Sequence, residues 1–103
     1  MSIYYKFKGS LTFENEEQAA KHFQKLSGNK KGIFWLPKEY LPSKELFLEG
    51  NKIRIDGEGF CGGESYYETQ DLIKEAARSA KKGKVKCYEG DDENDGSNEY
   101  IFV

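Results

Sequence analysis

Six acids crowd one short stretch of this chain. Glu89, Asp91, Asp92, Glu93, Asp95 and Glu99 occur with no base among residues 89–99. Sixteen Lys plus Arg stand against eighteen Asp plus Glu, for a net charge of −2. Sixteen bases against the other twelve acids would leave +4, so the charge is polarised along the chain. A dense acidic loop focuses a negative field and speeds encounter with a cationic protein surface. The same stretch mimics the start of a calcium loop, with Asp91, Glu93 and Asp95 at positions one, three and five and Gly96 at six. Position twelve, where a bidentate Glu closes such a loop, holds Phe102. The acids are therefore read as a partner-binding surface, with no metal assigned.

Other chemistry is thinner. Gly57-Glu58-Gly59-Phe60-Cys61-Gly62 has the G-x-G-x-x-G spacing of a phosphate-cradling turn. That mechanism needs a helix N-terminus directly after the motif, and Glu58 and Glu64 would repel a pyrophosphate. A flexible connection or bulge across Gly57–Gly63 is the plainer expectation. Two cysteines, Cys61 and Cys87, lie 26 positions apart, and His22 is the one histidine. These do not compose a zinc site or a Cys-His nucleophile pair. No cofactor and no catalytic set is assigned. Basic and aromatic residues alternate in two places: Tyr4, Lys6 and Lys8 early, and Lys84, Lys86 and Tyr88 late. In outline this is a surface on which nucleic-acid bases stack, although the glycine-aromatic run of the RNA-recognition module is missing.

The elements that position these groups follow from periodicity. Residues 3–13 alternate, with Ile3, Tyr5, Phe7, Leu11 and Phe13 on one face and Tyr4, Lys6, Lys8, Ser10 and Thr12 on the other. Period two over this length predicts a half-buried strand. Asn15 caps a helix with Gln18 as its capping-box partner; Ala19, Phe23 and Leu26 form the apolar stripe, His22 borders it and Gly28 ends it. Residues 33–36 form a short apolar run containing Phe34 and Trp35, stopped by Pro37 and Pro42. Leu46–Glu49 and the run from Lys52 form a hairpin about Gly50-Asn51 with a II′ turn. Its predicted register sets Glu49 against Lys52, Leu48 against Ile53, Phe47 against Arg54 and Leu46 against Ile55, which pairs apolar with apolar and acid with base. A second helix starts at Ser65 with Glu68 as partner, buries Tyr66, Thr69, Ile73, Ala76, Ala77 and Ala80, and stops at Gly83. Residues 84–89 form a strand, 90–98 a polar loop and 99–103 a last strand.

Two amphipathic helices need a sheet face to cover, and right-handed crossovers place both on the same one. The expected fold is a two-layer α+β sandwich with a mainly antiparallel sheet. It is ferredoxin-like with extra strands, β-α-β-β twice, in one domain spanning residues 1–103. Neither the start of the sequence nor any apolar stretch reads as a signal peptide or a membrane span. With two reduced thiols, a cytoplasmic setting is expected. A disulfide would require the strands carrying Cys61 and Cys87 to be neighbours. Edge strands make a homodimer as reasonable as a monomer.

Three functions are expected from these features, in order. The first is a small non-enzymatic protein-binding module, such as an inhibitor or immunity protein that neutralises a basic toxin or nuclease through Glu89, Asp91, Asp92, Glu93, Asp95 and Glu99. The second is binding of RNA or single-stranded DNA on an open sheet face through Tyr4, Lys6, Lys8, Lys86 and Tyr88. The third is an enzyme with its site near Gly57–Gly63, using Cys61 or Glu64.

Overall fold

The structure is a computed structural model that describes residues 2–35 and 44–103. The chain order is β1 (Ser2–Thr12), α1 (Glu16–Gly28), β2 (Leu46–Glu49), β3 (Lys52–Gly62), α2 (Gly63–Ser79), β4 (Lys82–Gly90) and β5 (Gly96–Phe102). The strands form one antiparallel sheet in the order β2-β3-β1-β4-β5. Its first four positions are the ferredoxin-like arrangement, and β5 is added outside β4. Both helices pack on the same face.

β1 is central because its alternation serves two layers. Phe7, Leu11 and Phe13 are fully buried under the helices, where they meet Ile53 and Ile55 of β3, Val85 of β4, Leu26 of α1 and Ile73 of α2. The Phe7 ring stacks on Tyr66 at 5.2 Å and meets Phe34 edge-on at 6.0 Å. α1 starts as its sequence requires: Asn15 Oδ1 accepts the Gln18 amide at 2.9 Å, which satisfies one of the free donors of the first turn. The β2–β3 hairpin has the register expected from charge and apolar pairing, Glu49 opposite Lys52 through Leu46 opposite Ile55. Gly50 has φ +64° and Asn51 does not have positive φ, as a II′ turn requires.

Four boundaries differ from the sequence reading. Gly57–Gly62 is not a loop or bulge but the second half of β3, paired with Phe7 through Ser2 of β1. On the helix side a Cβ at Gly57 would approach the Glu45 carboxyl oxygen to 3.0 Å, and one at Gly59 would lie in van der Waals contact with the Tyr5 ring. α2 therefore begins at Gly63 straight from the strand, with Gly62 as its cap and no side-chain capping bond. The Ser65 carbonyl instead accepts the Thr69 hydroxyl at 2.7 Å. The helix stops at Ser79, and Gly83 lies inside β4, where any Cβ would come within 2.4 Å of the Ser10 carbonyl. The last strand starts at Gly96, so the loop shrinks to Asp91–Asp95.

The apolar run at 33–36, which the two-fold β-α-β-β pattern needs as a strand, is not one over residues 33–35, where Ile33 and Phe34 form a turn; residues 36–43 lie outside the described residues. That turn is pinned to α2 by the buried Thr69 hydroxyl, which accepts the Ile33 amide at 2.9 Å. The order is thus β-α-β-β-α-β-β rather than two equal halves. Cys61 on β3 and Cys87 on β4 are free thiols separated by β1. Among the described residues no helix is long and apolar enough to cross a membrane.

Phe7 ties sheet to helices, so Phe7→Ala is expected to lower unfolding free energy by about 3–5 kcal/mol. Urea unfolding checks this, and a loss below about 1 kcal/mol would contradict the central place of that ring.

Candidate functional site

The side chains that alternate away from the helices gather on a sheet face that none of the described elements covers. β1 contributes Tyr4, Lys6, Lys8, Ser10 and Thr12. By register, Phe60, Glu58, Asp56, Arg54 and Lys52 of β3 lie on one side of them. On the other side lie Tyr88, Lys86, Lys84 and Lys82 of β4, followed by Asn98, Tyr100 and Phe102 of β5. Phe47 and Glu49 of β2 complete the far edge. Seven basic residues thus share this face with three acidic ones, a formal +4 on a chain whose total is −2.

Aromatic rings are interleaved with the cations. Lys6 Nζ sits 5.8 Å from the Tyr4 ring centroid and 5.6 Å from that of Tyr88. Lys84 Nζ lies over Tyr100 and Phe102 at 4.8 and 5.5 Å. The Arg54 guanidinium lies over Phe47 at 4.1 Å. Such contacts are favourable and leave the ring faces beside positive charge. Phe60 is 66% and Phe102 65% exposed, both far beyond what burial would give an aromatic residue in a closed core.

The face has two electrostatic ends. At one, the Tyr4 hydroxyl donates to Glu58, which holds that carboxyl below its usual range and pushes the Tyr4 phenol up to about 12. Lys8 bonds Asp56 at 2.5 Å and likewise holds its carboxyl below the usual carboxylate range. At the other end Lys52, Lys82 and Lys84 have no ion pair among the described residues, nor does Lys86, which lies beside Lys8 in the middle of the face. The Asp91–Asp95 loop borders the first end, and burial followed by the charges of Asp92, Asp95 and Glu93 raises the Tyr88 phenol.

The six acids named from the sequence are split. Asp91, Asp92, Glu93 and Asp95 are exposed in the β4–β5 loop, and Asp92 Oδ1 shapes it by accepting the Asn94 and Asp95 amides at 2.7 and 2.9 Å. Glu89 and Glu99 point to the helix side instead. Glu89 accepts the Tyr67 hydroxyl at 2.9 Å, and Glu99 accepts Gln70 Nε2 at 2.8 Å while pairing with Lys74 at 3.1 Å. Among the described residues no three His, Cys, Asp or Glu side chains converge where a metal ion could sit. The alternating sets Tyr4, Lys6, Lys8 and Lys84, Lys86, Tyr88 do fall together on the open face. Sequence reasoning missed Phe47, Arg54, Phe60, Tyr100 and Phe102. Phe60 was hidden where Gly57–Gly62 reads as a loop; Phe47, Arg54, Tyr100 and Phe102 lie in segments that read as strands, and what was missing was the strand order that brings them onto one face.

The thiols and the histidine sit elsewhere. Cys61 is half-buried under the helices, and burial pushes its thiol up to about 11; burial takes the thiol of Cys87 to about 12. His22 is buried in α1 with its ring stacked on Phe13 at 5.1 Å. Burial, then Lys25 and Lys21, hold its proton affinity below the usual value. A cleft of about 730 Å³ opens beside the start of α2, lined by Lys31, Glu64, Ser65, Tyr67, Glu68 and Asp71. Trp35 is 38% exposed. Comparison with known proteins finds no matching family model, curated protein or solved structure.

Two measurements follow from these groups. Thiolate absorbance of the folded chain is expected only as the pH approaches 11, and a thiolate below pH 8 would contradict the burial of both cysteines. Unfolding exposes His22 to water, so the unfolded chain binds more protons below its ordinary value of 6.5. Stability should therefore fall as the pH drops through that region, and His22→Phe should remove this component. Unchanged pH dependence in that variant would contradict it.

Proposed function

We propose that this protein binds single-stranded nucleic acid, RNA or DNA, on the open face of its sheet. The observation that carries the reading is the coincidence on one sheet face of seven basic residues and six aromatic rings, of which Phe60, Tyr100 and Phe102 are exposed and Tyr4 and Tyr88 are buried among their neighbours, in a chain that is acidic overall. Cations attract phosphates, and bases stack on exposed rings with little regard to sequence. The most available platform is the Tyr100–Phe102 pair, stacked at 6.0 Å with Lys84 above it. Unpaired Lys82 and Lys86 flank the same strand. A bound strand would favour this end and avoid the Glu58 and Asp91–Asp95 end. The two free thiols on strands that do not touch support a reducing, cytoplasmic setting.

The protein-partner reading rests on the exposed loop at Asp91–Asp95. It makes the opposite prediction for one variant, so a single experiment separates the two. The loop would be neutralised together as Asp91→Asn, Asp92→Asn, Glu93→Gln and Asp95→Asn, which retains the amide-accepting oxygen at 92. Sheet-face binding predicts tighter oligonucleotide binding in that variant, since a repelling charge is gone. Docking of a basic protein through the loop predicts loss of that partner and no oligonucleotide binding in either form.

Fluorescence anisotropy with labelled oligouridylate and oligothymidylate of about 10 nucleotides gives the direct test. Affinity should fall linearly with salt on logarithmic axes between about 50 and 200 mM, with a slope of about −2 to −3.5 for three to five neutralised phosphates. Phe102→Ala should cost about 1–3 kcal/mol of binding. Absence of binding at low salt, or a face closed by self-association in solution, would overturn the reading.

A further inference from the structure

We infer that the centre of the open face is a phosphate subsite with Ser10 at its floor. This rests on the sheet-face reading and adds the position at which the strand's phosphate is held.

Ser10 is the short side chain in a row of large ones. Across the sheet, that row runs Phe47, Arg54, Ser10, Lys84 and Phe102. The cations on either side of Ser10 lean outward onto rings, Arg54 over Phe47 and Lys84 over Tyr100 and Phe102. What remains over Ser10 is a shallow hollow of about 350 Å³, lined by Lys8, Lys52, Arg54 and Asp56 above the backbone of Gly9 and Ile55. The one carboxylate in its wall, Asp56, is already bonded to Lys8 at 2.5 Å. Arg54 spends Nε on Glu49 at 3.3 Å, which leaves its terminal nitrogens for another acceptor. Lys52 has no ion pair among the described residues. With Lys8 and Asp56 paired to each other, and Lys8 also within 3.9 Å of Glu58, Lys52, Arg54 and a hydroxyl donor remain facing the hollow, a surplus of two cations. That composition favours an anion, and a guanidinium presents the fork geometry that a phosphate accepts. Its place between the two edge aromatic groups suits a phosphate lying between stacked bases. The chemistry is common to an internal phosphodiester and a terminal phosphate.

The test places a carboxylate where the phosphate would go. Ser10→Glu fills the hollow, and Asn98→Glu adds the same charge to the same face of β5, opposite Tyr88 and away from the hollow. Both positions face solvent, and circular dichroism melting checks that the variants fold. With the labelled oligouridylate, Ser10→Glu should weaken binding about tenfold and lower the magnitude of the salt slope by about 0.7, one phosphate's share. Asn98→Glu should weaken it by about threefold or less and leave the slope unchanged. Oligonucleotides with a 5′-phosphate and with a 5′-hydroxyl show which source fills the hollow: equal Ser10→Glu effects mean an internal phosphodiester, and an effect confined to the 5′-phosphate form means a terminal group. Independently, dimethyl phosphate and inorganic phosphate should shift the amide signals of Ser10, Lys52 and Arg54 in the wild type and not in Ser10→Glu. If the wild type binds oligonucleotide but the two charge variants behave alike, the subsite is wrong while the sheet-face reading stands. If the wild type binds no oligonucleotide, the sheet-face reading fails and the subsite with it.

Discussion

Both helical connections of this chain lie on one side of the sheet, and most else follows from that constraint. One sheet face receives Phe7, Leu11, Ile53, Ile55 and Val85 and becomes the core. The opposite face receives no protein layer among the described residues. Its side chains must satisfy themselves with water and with one another. β1 carries the consequence most plainly, because successive residues along it belong to different worlds: Tyr5 and Phe7 are covered by helices, whereas Lys6 and Lys8 meet solvent.

An uncovered antiparallel face usually reads as polar. This one departs from that pattern by holding Phe60, Tyr100 and Phe102 in the open. Lys84 partly shields Tyr100 and Phe102 through cation–π contacts, as Arg54 does Phe47, which helps the face remain compatible with water. These cations also set positive charge beside flat apolar surface, the pairing that a chain of phosphates and bases matches. The acidic groups sort the other way. Glu89 and Glu99 are drawn to the helix side by Tyr67, Gln70 and Lys74, while the Asp91–Asp95 loop stays at the rim. The molecule is therefore polarised across its thickness as well as along its sequence.

What the sequence made legible was whatever local pairing decides. The alternation of β1, the Asn15 cap and the Glu49–Lys52 hairpin register could all be read because each rests on neighbours in sequence or on one short turn. Gly57–Gly62 could not be read in the same way. Its glycines resemble a loop, and only the pairing with the distant Ser2–Phe7 stretch of β1 makes the segment a strand. The split of the acids had a readable signal that went unused: Glu89 is in phase with Val85 and Cys87, so it must face the helices once residues 84–89 are a strand. The adjacency of Phe47 to Arg54 was in the hairpin register, but its membership of a continuous face with Tyr4 and Phe102 depended on the strand order, which no local pattern encodes.

The most direct measurement is an amide chemical-shift map of the isotopically labelled chain as single-stranded oligonucleotide is added at low salt. Binding on the open face predicts shifts along β1, β3, β4 and β5 that are largest near Ser10, Lys84, Tyr100 and Phe102, with α1 and the exposed side of α2 unmoved. Shifts confined to Asp91–Asp95 and α2, or a spectrum that does not change, would contradict it.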